Sequence, residues 1–90
     1  MTKHDDKVRK LANSYKRKGY KVKADLSGFE QPNKIGQKNY IPDLEFTKSG
    51  STKIIEVETK QSIKKDQNQI TAFRRSAAHR KRTSFDLEQI

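Results

Sequence analysis

The sequence predicts an α/β fold: a small mixed sheet built in the order α-β-β-β-α-β. Three observations carry this. Residues 4–18 and 63–81 place apolar side chains at the spacing of one helical face. Residues 20–26, 41–47, 53–59 and 84–90 alternate or run apolar over strand length. The second helix lies between the third and fourth strands, where a right-handed crossover would let those two strands pair in parallel.

The elements follow in chain order. In the first helix Val8, Leu11, Ala12 and Tyr15 mark the buried face, and Asp5 and Asp6 sit in the first turn, where free amides favour negative charge. Lys16, Arg17 and Lys18 close the last turn, and Gly19 is a fitting C-terminal cap. In the first strand Tyr20, Val22, Ala24 and Leu26 point one way, with Lys21, Lys23 and Asp25 pointing the other. Residues 27–39 form a long loop rich in Gly, Pro, Asn and Gln, a kind of loop that often carries function. Ser49-Gly50-Ser51-Thr52 joins the next two strands as an antiparallel hairpin. The second helix buries Ile63, Ile70, Phe73 and Ala77, and residues 84–90 return as a last strand.

Composition bounds the chain further. Ninety residues, 30% hydrophobic and 36% charged, make one thin-cored domain over residues 1–90, and a homodimer would add burial. The net charge is +10, more than solubility needs, and it points to nucleic acid as the partner. No helix has the broad apolar face that a membrane surface requires, so no membrane partner is expected. Without cysteine there is no disulfide frame and no thiolate metal site, and without an apolar leader the expected location is cytoplasmic.

Against this basic background the hairpin is acidic. With its loop centred on Gly50 and Ser51, Asp43 faces Glu58, Leu44 faces Val57, Glu45 faces Glu56 and Phe46 faces Ile55. Asp43, Glu45, Glu56, Glu58 and Lys60 then share one face of the sheet, and Leu44, Phe46, Ile55 and Val57 share the core face. Opposed like charges destabilise a hairpin. A divalent cation, Mg²⁺ or Mn²⁺, would compensate them and let carboxylates and phosphate share a site.

Pro42-Asp43 followed by Glu58-Thr59-Lys60 resembles the motif of the PD-(D/E)XK nuclease superfamily, the restriction-endonuclease-like fold, and the element order is similar to its core. The nearest flavour is the minimal archaeal Holliday-junction resolvases. The resemblance implies a Mg²⁺-dependent endonuclease acting on nucleic acid, with DNA favoured. Asp43 and Glu58 would be metal ligands, and Lys60 the catalytic lysine. Aligned instead on Ile54-Ile55, the family's acid falls on Glu56 and its lysine on Glu58, with Lys60 a displaced substitute. Both registers stand at this point.

Further candidates surround the motif. Arg74, Arg75, Arg80, Lys81 and Arg82, helped by Lys16, Arg17 and Lys18, are expected to hold phosphates. Gln69 would approach the site from the second helix and touch substrate or water. Tyr40 is a base-stacking candidate, and Gln31, Asn33, Lys34, Gln37, Lys38 and Asn39 would track a groove. His4 and His79 lack ligand spacing and are read as surface residues. Two other classes of function compete: a non-catalytic nucleic-acid-binding module of the same fold, and a basic adaptor for an acidic protein.

Overall fold

A computed structural model describes residues 2–90. The chain forms α1 (Lys3–Arg17), β1 (Lys21–Ala24), β2 (Leu44–Lys48), β3 (Ser51–Glu58), α2 (Lys60–Lys65), α3 (Gln67–His79) and β4 (Thr83–Gln89). The strands make one sheet in the order β1-β2-β3-β4. The β1–β2 and β2–β3 pairs are antiparallel, and β3–β4 is parallel, as the helical crossover predicts.

Each face of the sheet buries one apolar stripe. On one side Val8 and Ala12 of α1 pack on Ala24, Leu44, Phe46, Ile55 and Val57, with Tyr15, Tyr20 and Val22 around them. Tyr15 stacks on Phe46 at 4.0 Å between ring centroids and 10° between planes. Burying a side chain the size of Phe46 stabilises by roughly 1.5–3 kcal/mol. On the other side Phe73 of α3 packs on Ile54 and Ile35, with Tyr40 and Phe85 at the edge. The parity expected from strand alternation therefore holds.

The register does not hold. Leu44 pairs with Ile55, Glu45 with Ile54 and Phe46 with Lys53, two residues along β3 from the expected partners. The connection is a two-residue turn of Ser49 and Gly50, both with positive φ (51° and 80°), closed by Lys48 opposite Ser51. Such a turn matches the twist of the flanking strands. A shift of two preserves the faces but changes which acids meet.

The second helix also differs from its expected span of 63–81. Thr59 starts it early: its hydroxyl accepts from Ser62 N at 3.0 Å, while Thr59 N donates to Ser62 Oγ at 2.8 Å. The helix then breaks at Asp66, and α3 stops at His79, so Arg80, Lys81 and Arg82 lie in the following turn. Arg82 has φ 54° and its carbonyl accepts from Thr52 N at 2.8 Å, which ties it to the start of β3.

Candidate active site

Three elements end at one place. Asp43 precedes β2, Glu56 and Glu58 close β3, and His4 opens α1. With Thr59, Ser62, Asp66 and Gln69 they line an open cleft of about 400 Å³. The new register explains the meeting. Beyond Leu44, Asp43 lies alongside Glu56 rather than Glu58: its amide donates to Glu56 Oε1 at 2.9 Å, and its Oδ2 accepts from Val57 N at 2.8 Å.

The neighbours orient this pair. Gln69 Nε2 donates to Glu56 Oε2 at 2.7 Å, so the helical glutamine reaches the site as expected, and it does so through a carboxylate. His4 Nε2 lies 3.0 Å from Asp43 Oδ2, and its Nδ1 lies 3.1 Å from Asp5 Oδ1. The sequence reading placed His4 on the open surface. Its position in the first turn of α1 was legible, but the packing of that turn beside Asp43 was not. Burial pulls the His4 pKa down, yet hydrogen bonds to Asp5 and Asp43 and the charge of Asp43 outweigh it, so the net shift is upward.

The carboxylates are strongly perturbed. Glu56 is 3% exposed, and burial, then the charge of Asp43, push its pKa up to about 9. Glu58 is equally buried; desolvation raises its pKa, the Ser62 hydroxyl opposes this, and the charge of Asp66 adds to it. No lysine or arginine lines the cleft. Among the described residues no three His, Asp or Glu side chains converge into a ready-made metal cage. The donor set instead suits a cation held by two carboxylates and completed by water, the habit of Mg²⁺. Glu56, buried and with no cationic partner among the described residues, and the half-buried Asp43, which has only His4, fit such an ion.

Other expectations are redistributed. Glu45 shares the acidic face but holds the long loop: its Oε1 accepts from Asn33 N at 3.1 Å. Lys60, expected on the sheet face with the acids, is the first residue of α2, because the Thr59 cap ends the strand before it. It is exposed and borders a separate hollow with Gln61, Lys64 and Ile90. The basic runs are displaced too. Lys16 and Arg17 flank Asn13, while Lys18 O accepts from Lys48 Nζ at 2.8 Å and Arg82 borders Gly50, so Lys18 and Arg82, the ends of the two runs, reach the hairpin turn. That end is separated from the cleft by the length of α1, 15 residues or ~20 Å. Arg74 lies over Phe85, 5.2 Å from the ring centroid, while Arg75 faces the long loop.

The model of the restriction-endonuclease-like family described as REase_AHJR-like matches residues 1–87. The chain belongs to this AHJR-like family. No curated protein and no solved structure matches it. Membership establishes the PD-(D/E)XK relationship and the restriction-endonuclease-like fold that the element order predicts. It also gives the AHJR-like chain a nuclease-type function and a nucleic-acid substrate class. No helix among the described residues is long and apolar enough to cross a membrane.

Proposed function

We propose that this chain is a divalent-metal-dependent endonuclease that hydrolyses phosphodiester bonds, with DNA the favoured substrate. The observation that carries the reading is the contact of Asp43 with Glu56 in a solvent-open cleft that no lysine or arginine lines, with His4 as its one basic side chain among the described residues. Asp43 and Glu56 would hold Mg²⁺ or Mn²⁺, with Glu58 beside them. The ion would supply Lewis acidity toward a phosphoryl oxygen and neutralise charge at the acids.

The chain's own residues do the rest. Gln69 fixes the rotamer of Glu56, and His4 with the Val57 amide fixes Asp43. Glu58, which stands where the second motif register puts the lysine, lines the cleft and would accept a proton from the attacking water at its carboxylate. Lys60 does not line the cleft and is assigned no role in this step; its hollow adjoins the cleft at Thr59.

The test is cleavage of plasmid, junction, flap, single-stranded and RNA substrates with Mg²⁺ or Mn²⁺ against chelator controls. Metal-dependent cleavage that Asp43→Asn abolishes supports the reading. Cleavage that survives Asp43→Asn contradicts it.

One observation favours a second reading. No lysine faces the acids, so the chain would serve as a nucleic-acid-binding module that keeps the fold without the chemistry. Firm binding with no cleavage on any substrate of the panel is the outcome expected of that module.

A further inference from the structure

Beside the acid cleft runs a second depression, about 670 Å³, between the Gly36–Tyr40 segment and the outer face of α3. Its chemistry is the reverse of the cleft's. Lys38, Arg75 and His79 line it together with the amides of Gln37 and Asn68 and the ring of Tyr40, and no carboxylate does. Neither Lys38 nor Arg75 has an ion-pair partner among the described residues.

Both walls lead to the acids. One wall is chain that continues from Tyr40 through Pro42 to Asp43. The other is α3, whose lining residue Asn68 adjoins Gln69, the partner of Glu56. The walls are also built to hold their shape. Ile35 N donates to Tyr40 O at 2.7 Å, Tyr40 N returns to Ile35 O at 2.9 Å, and Tyr40 packs edge-on against Phe73 with centroids 6.2 Å apart. At Gly36, with φ 79°, a Cβ would stand 3.6 Å from Ala72, so the loop is seated directly on the helix.

We infer that this groove is the track along which a nucleic-acid strand enters the acid cleft, its phosphates held by Lys38 and Arg75. The inference rests on the nuclease reading and places the substrate grip. Two unpaired cations and the His79 ring line the groove, and its two walls continue along the chain to Asp43 and Gln69 of the cleft. A strand lying in it meets positive charge along its length and reaches carboxylates only where a cation would sit. The larger basic runs at the hairpin turn are ~20 Å from the cleft and share no wall with it.

The experiment reads binding rather than cleavage, so that failure of the nuclease reading and failure of this one are separable. A labelled oligonucleotide is titrated with the full chain in EDTA across a salt series and followed by anisotropy. A Lys38→Ala/Arg75→Ala double variant is expected to lose about tenfold in affinity and to flatten the salt dependence by about one unit per lost contact. A Lys16→Ala/Arg17→Ala variant is expected to lose clearly less affinity and less salt slope than the groove variant. Both pairs are exposed, and thermal unfolding checks that each variant folds. If the groove variant loses binding while the wild type cleaves nothing, the nuclease reading falls and the track stands. Unchanged binding by the groove variant, an equal loss in the hairpin-end variant, or no oligonucleotide binding by the wild type would each overturn the track.

Discussion

The two ends of the sheet make opposite use of charge. At the end where β3 closes, Asp43, Glu56 and Glu58 crowd together with no lysine or arginine among them. At the hairpin end Lys48 donates to the Lys18 carbonyl beside Gly19, Arg82 lies against Gly50, and the Lys18 and Lys48 ammonium groups sit over the rings of Tyr15 and Tyr20. One end concentrates a charge that is costly to bury, and the other spreads a charge that water solvates. The contrast teaches that a net charge of +10 describes the partner and not the place where it is held. The acids are the costly investment, and they mark the chemistry.

The strongest way to break this contrast is to remove an acid. Asp43→Asn or Glu56→Gln should cut metal-dependent cleavage by ~10²-fold or more, since a bound cation is worth several kcal/mol in the transition state. Oligonucleotide binding should persist in both, and tighten in Asp43→Asn, where a negative charge facing the phosphates is gone. Single-turnover rates beside binding titrations check both parts.

Glu58→Gln should follow, with a loss of ~10²-fold in the rate of the chemical step and little change in binding, the usual scale for a lost proton acceptor. Lys60→Ala should leave that rate within about twofold. A large loss at Lys60 and none at Glu58 would reverse the assignment of these two positions.

The acid end should also be sensitive to pH in the metal-free protein. In the folded chain Glu56 keeps its proton up to about pH 9, whereas an ordinary glutamate releases it near 4.5. The contribution to stability is therefore fully present below the lower value and is lost as pH rises through the higher one. Glu56→Gln, neutral throughout, is expected to raise the melting temperature at about pH 8 by ~4 °C or more, with the gain vanishing toward about pH 4. Circular dichroism melts across pH check this.

Much of this molecule was legible in its sequence, and the misses share one cause. Val8, Ala12, Leu44, Phe46, Ile70 and Phe73 announced both cores, because burial periodicity is a property of each element alone. The parallel β3–β4 pair followed from the helix between them. The site needed finer information. Ser49-Gly50 closed a two-residue turn where four loop residues had been counted, and this alone moved Asp43 from Glu58 to Glu56. The Thr59–Ser62 capping box, readable in principle as a hydroxyl three residues before another, carried Lys60 off the sheet. His4 required knowing how the first turn of α1 packs beside Asp43, a tertiary contact across 39 positions of sequence that no local pattern encodes. The ends of the basic runs, Lys18 and Arg82, lie at the hairpin turn, a placement that their charge alone does not encode.

Mn²⁺ titration followed by amide NMR addresses both ends of the sheet in one measurement. If the acid cluster is the metal centre, substoichiometric Mn²⁺ should broaden the amide signals of Asp43, Val57 and Gln69 and leave those of Lys48 to Ser51 sharp. The broadening should disappear in Asp43→Asn. Broadening centred on the hairpin turn, or an unchanged pattern in Asp43→Asn, would contradict the account.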